Sequence, residues 1–213
     1  MSIKVLGIEV ERKTDILALA AFIISIGSIV AQTINLIKGP EVVLENPKQI
    51  LLKSEAYPDG VEYLRISANL VYLNKGSPGY DDITKHEEAI IKVGDKTFML
   101  VAQEYVDSTY EKGIFKVKKL SDADPVQVKS GSVISHETYF APWPSGAKDE
   151  SKNYISFSSF LELLKKHDHM FVNIKSGTYE GAKLETECKL KVSQFLRHLE
   201  SKKWSAPVCI KQS

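Results

Sequence analysis

The chain has few cysteines, almost no net charge and none of the short signatures by which common enzymes announce themselves. Two cysteines among 213 residues exclude a small disulfide-stapled scaffold, and 12 glycines with 8 prolines exclude a collagen-like fibre. A hydrophobic share of 43% is too high for a disordered tail. The formal charge is +1. From Pro40 onward even that vanishes, because the 28 Lys and Arg less Lys4, Arg12, Lys13 and Lys38 equal the 27 Asp and Glu less Glu9, Glu11 and Asp15. A nucleic-acid binder offsets phosphate charge with a concentrated basic face, so no nucleic-acid partner is expected. There is no glycine-rich phosphate loop, no G-x-S-x-G elbow, no H-E-x-x-H pair and no paired C-x-x-C. Without these, neither an enzyme nor a cofactor is expected.

What the chain does have is one long uncharged run, ILALAAFIISIGSIVAQTINLI, over residues 16–37. A helix of that length spans about 33 Å, enough for a hydrocarbon layer of about 30 Å. Polar residues bound it sharply, with Arg12, Lys13 and Asp15 before and Lys38, Gly39 and Pro40 after. The apolar region of a cleaved secretory signal is about 7–15 residues long, and cutting after Ala31 would place Ile29 at the critical upstream position. The run therefore reads as a retained transmembrane helix in contact with the lipid bilayer. Arg12 and Lys13 sit next to it on the amino side, which predicts a cytoplasmic amino terminus and an extracytoplasmic carboxyl-terminal domain. Ala20, Gly27 and Ala31 offer a small-residue packing face within it.

After the run the dominant period is two. Leu64, Ile66, Ala68, Leu70 and Tyr72 alternate with Arg65, Ser67 and Asn69, as a strand with one buried face requires. Further strands are predicted at 49–56, 88–93, 97–106, 114–120, 126–129, 132–140, 170–175 and 183–192, and Gly94-Asp95-Lys96 suits a hairpin turn. Ser159-Phe-Leu-Glu162 has the form of a capping box for a helix of about two turns. A second short helix, or else an extension of the preceding strand, is predicted over 194–203. The expected class is mainly β: an immunoglobulin-like antiparallel β-sandwich behind one transmembrane helix, with a small closed barrel as the alternative. The expected organisation is a leader (1–15), the helix (16–37), a stalk (38–48) and the β domain (49–213).

Candidate site residues are few. Trp143 lies between Pro142 and Pro144, with Tyr139, Phe140 and Tyr154 near it in sequence. A stiffened aromatic loop of this kind anchors a partner at little entropic cost. His167-x-His169 is the nearest approach to a metal cluster, and it reads better as a polar turn ending a helix, so no metal is expected. His136, between apolar neighbours, reads as a satisfied sheet histidine. Cys188 and Cys209 form a disulfide if the domain lies outside the cytoplasm and stay as two buried thiols if it lies inside. The expected function is a non-enzymatic, membrane-anchored module that binds a protein partner or assembles with itself. The alternative is a cytoplasm-facing sensor whose clustered helices perturb the membrane.

Overall fold

The computed structural model describes residues 3–5, 8–10, 14–37, 39–57, 60–111, 114–142 and 155–210. They fall into two units, Met1–Gly39 and Pro40–Ser213. In the first, β1 (Ile3–Val5) pairs antiparallel with β2 (Ile8–Val10), and α1 follows over Thr14–Ile37. The Ser25 and Thr33 hydroxyls donate back to the Ala21 and Ile29 carbonyls at 2.8 and 2.7 Å, so these polar side chains are satisfied within their own helix. The window Leu17–Ile34 has a mean hydropathy of 2.1 and none of it is buried. This helix is long and apolar enough to cross a membrane.

The second unit is mainly β. Its strands are β3 (Val42–Leu44), β4 (Ile50–Ala56), β5 (Glu62–Asn74), β6 (Asp82–Ile83), β7 (Glu88–Val93), β8 (Lys96–Glu111), β9 (Ile114–Asp122), β10 (Gln127–Val128), β11 (Val133–Ala141), β12 (His169–Gly177) and β13 (Lys183–Lys191). The helices are α2 (Phe157–Leu164) and α3 (Leu196–Glu200). A nine-stranded antiparallel sheet runs β13-β12-β7-β8-β11-β5-β3, with β4 also on β5 and β9 also on β8. The two-residue period does the sorting. Leu64, Ile66, Ala68, Leu70 and Tyr72 point into a core shared with Ile91, Phe140, Val172 and Leu190.

Among the described residues one large sheet, with the short β6–β10 pair beside it, is present where two facing sheets of an immunoglobulin-like sandwich were expected. Its ends nearly meet. Residues 205–210 lie between β4 and β13, bridging Leu52 through Ser205, Gln49 through Val208 and Lys189 through Ile210. The circuit β4-β5-β11-β8-β7-β12-β13 is thereby almost closed into a barrel. Alternation reveals that a strand has one buried face, but it does not reveal its neighbour. The closing segment, interrupted by Pro207, carries no strand period at all.

Three local expectations also change. The stalk region contains β3, because Val42 and Leu44 face the core and pair alongside Asn74 and Tyr72, on the part of β5 that β4 does not reach. The body therefore begins at Pro40 rather than at residue 49. The cap of α2 is Ser156, whose hydroxyl accepts from the Ser159 N–H at 3.3 Å, three residues ahead of the expected box. The earlier start puts Phe157, Phe160 and Leu164 on one buried face at helical spacing. Finally, β8 runs to Glu111 instead of 106, and its outer half pairs with β9 as an arm. The β7–β8 turn sits where predicted, with Gly94 at φ +59°. A Cβ at that position would push the His167 ring aside, and the positive φ is what calls for glycine.

Candidate functional site

The sequence places its contact loop around residue 143. Trp143 and Tyr154 lie outside the described residues. Tyr139 and Phe140 are not a loop surface: both belong to β11, and Phe140 is wholly buried in the core. Tyr139 points to the other face of the sheet but is also buried. There its phenol donates to Glu55 at 2.6 Å, and the Arg65 guanidinium sits 5.0 Å from the Tyr57 and Tyr139 ring centres. Arg65 completes the group with an ion pair to Glu55 at 2.9 Å. Burial, then the hydrogen bond to Glu55, pushes the Tyr139 phenol well above its ordinary range. The cluster holds the end of β11 against β4 and β5, so its aromatic rings serve the fold.

A second polar cluster lies on the core side, and sequence reasoning found only one member of it. Glu87, just ahead of β7, is 1% exposed. One carboxylate oxygen accepts from the Tyr72 hydroxyl at 2.7 Å and lies 2.9 Å from His136 Nε2; the other accepts from Thr138 at 3.2 Å. The rings of Tyr72 and Tyr105 flank His136 at 5.5 and 4.3 Å. Tyr105 reaches this side because β8 carries an extra residue opposite the step from Tyr139 to Phe140. Ala102 pairs with Phe140 but Glu104 with Tyr139, and the strand's faces exchange beyond that point. Burial first, and the Glu87 charge second, raise the Tyr72 and Tyr105 phenols far above the usual tyrosine value. Both phenols are therefore donors at any physiological pH. Glu87 has three partners inside the fold and almost no surface, so its carboxylate serves the fold as a shared hydrogen-bond partner. His136 is the satisfied sheet histidine that its alternation implied. The same parity marks Glu87, which is in phase with Ala89, Ile91 and Val93, but the charged triplet His86-Glu87-Glu88 disguised it.

Open concavities lie elsewhere. The β8–β9 arm folds over the outer face of the sheet, where the carboxylate of Glu137 accepts from the Ser108 N–H at 3.1 Å and the Ser108 hydroxyl at 2.7 Å, and also from the Ser67 hydroxyl. Beneath it is a groove of about 630 Å³ lined by Gln49, Leu51, Asn69, Tyr110, Phe115 and Glu137, among others. That volume falls in the range of ordinary ligand and peptide clefts. Tyr110 stands exposed at its rim against Phe115, with ring centres 4.7 Å apart. A second groove, about 700 Å³, runs along the closing segment past Asn46, Lys48, Glu187 and Cys209. At this seam Cys209 is bonded to Cys188 of β13, so the disulfide holds the closing segment in place.

His167 and His169 do not come together with a third ligand, and among the described residues no group of three or more His, Cys, Asp or Glu is placed to hold a metal ion. His167 lies in the turn that follows α2, its N–H bonded to the Leu164 carbonyl at 3.0 Å. Of the small-residue face of α1, Ala20, Gly27 and Ala31 are all exposed, and nothing lies within 4 Å of a Cβ built on Gly27. Compared with known proteins, the chain matches no family model, no curated protein and no solved structure.

Proposed function

We propose that the chain is a single-pass, membrane-anchored binding module whose barrel-like body engages a protein partner or further copies of itself at the cell envelope, without catalysis. The observation that carries this reading is α1, which is apolar over Leu17–Ile34 and has no protein cover in that window. Lipid is the solvent such a surface requires. The amino terminus is then cytoplasmic and the body extracytoplasmic. The Cys188–Cys209 bond supports that side, because disulfides persist in oxidising compartments. The internal back-bonding of Ser25 and Thr33 weakens the alternative of clustered helices, since neither hydroxyl needs a neighbouring helix to satisfy it.

The binding role rests on the open groove under the β8–β9 arm, with Tyr110 at its rim and Trp143 as the sequence-based anchor. Anchoring raises the effective concentration of the body for any partner held at the same membrane. By contrast, the carboxylates of Glu87 and Glu137 each accept from donors of the fold.

A carboxyl-terminal fusion to a reporter active only outside the cytoplasm tests the orientation. Signal from that fusion is expected, and signal from a cytoplasm-only reporter instead would reverse the topology. For the contact surface, Trp143→Ala is expected to weaken partner capture without moving the unfolding midpoint. Undiminished capture by the folded variant removes that residue from the account.

A further inference from the structure

The strands of the body are not joined equally around the ring. β12 and β13 share nine registered pairs, from His169↔Lys191 to Gly177↔Lys183. On its other side β13 meets residues 205–210 through the disulfide and, among the described residues, a single backbone hydrogen bond from Ile210 N–H to the Lys189 carbonyl at 2.9 Å. The closing segment is held to the β4 side by more: Leu52 and Ser205 exchange bonds at 2.7 and 3.0 Å, Ile50 donates to Pro207 at 3.2 Å and Cys209 donates to Lys48 at 2.9 Å. Just ahead of it, Lys202 has φ +53°, the only non-glycine residue with positive φ among the described residues. A side-chain-bearing residue held there is strained, and short strained hinges favour exchange of the element that follows. Cys209, finally, is partly exposed and lines the open groove at the seam.

We infer that residues 205–210 are an exchangeable closing strand, latched by Cys188–Cys209, and that two copies of the chain interlock by trading it once the latch is reduced. The one segment known to fit the slot between β4 and β13 is this strand, so an identical chain is the occupant that the slot already matches. The chemistry balances with a dithiol reductant. Its thiolate attacks Sγ of Cys209 and Cys188 leaves as a thiolate that takes up a proton. The second reductant sulfur then closes on the mixed disulfide, leaving Cys209 as a thiol and the reductant as a disulfide. An oxidised dithiol reverses the steps, joining Cys209 of one copy to Cys188 of a second. The inference deepens the self-assembly side of the proposed function and rests on it.

The test uses the full chain in detergent and two separately tagged variants, Cys188→Ser and Cys209→Ser. In wild-type protein treated with a dithiol, hydrogen exchange at the amides of Ser205, Cys209 and Ile210 is expected to accelerate about tenfold or more while β5 and β12 keep their protection. Mixing the two variants with an oxidised dithiol is expected to give a chain-to-chain Cys188–Cys209 link, identified by mass after digestion. Unchanged protection of the closing strand overturns the proposal. So does loss of protection in β5 and β12 together with the strand, which would make the disulfide a staple of the whole body. A preparation that is dimeric in detergent yet yields no such link overturns strand exchange and leaves the assembly reading standing.

Discussion

Two regions of this chain are built from the same apolar side chains and treat them in opposite ways. In the body, Ile50, Leu52, Ile66 and Ile174 have no exposed surface. In α1, Leu17 is 75% and Ile24 68% exposed. Each Å² of apolar surface left in water costs about 25 cal/mol, so the helix carries a large unmet burial demand that the body has already satisfied. The body buries its apolar side chains within its own fold, whereas those of α1 stay exposed along the whole window Leu17–Ile34.

The sharpest way to test the contrast is to make one kind of substitution in both places. Phe160→Ala, at the packed face of α2 against Phe98, is expected to destabilise the body by about 3–5 kcal/mol in denaturant unfolding followed by body fluorescence. Phe22→Ala is expected to leave the same midpoint unchanged; equal losses would mean that α1 belongs to the protein core. A charge probes the other side of the comparison. Ile24→Arg opposes insertion by about 2.5–3.5 kcal/mol and is expected to move much of the protein out of the membrane fraction without altering body unfolding. Full retention of that variant would break the contrast.

Within the body, the Glu87 cluster ranks next. Glu87→Ala leaves the Tyr72 hydroxyl, Thr138 and His136 without their shared acceptor, at an expected cost of about 1–3 kcal/mol, with Glu87→Gln milder because an amide oxygen still accepts from Tyr72. Equal effects of the two variants would contradict the hydrogen-bond account. The smallest effect is at alkaline pH. The phenols of Tyr72, Tyr105 and Tyr139 are all raised above their ordinary value of 10.0. The unfolded chain therefore loses protons that the folded chain keeps, and stability is unaffected by these groups below pH 10 and falls above it. Each contributes a slope of at most about 1.4 kcal/mol per pH unit. Tyr72→Phe is expected to reduce that slope, and a slope unchanged in the variant would remove Tyr72 from it.

Much of this was legible in the residues. The uncharged run gave the helix within two residues at its start, and alternation placed Glu88–Val93 to the residue, because a one-face-buried strand leaves a pattern in its own sequence. Closure did not leave such a pattern. It depends on residues 205–210 meeting strands distant in the chain, and their geometry is set by a disulfide and two edges rather than by local preference. The polar sites divide in the same way. His136 was readable as an inward histidine. Its acceptor, 49 positions away in sequence, was hidden among charges, and Tyr105 was hidden because a bulge in β8 changes which face it takes. The contact loop was misplaced at Tyr139 and Phe140 because aromatic residues next to a proline turn look exposed, whereas β11 continues through both of them.

The anchoring of α1 is the claim on which the rest depends, and detergent-free fractionation of full-length protein with intact-mass measurement tests it most directly. The account predicts that the chain sediments with membranes through a high-salt wash, enters solution only with detergent and retains its amino-terminal residues. Recovery of the whole chain in the detergent-free supernatant, or of a product cut just after α1, would contradict it.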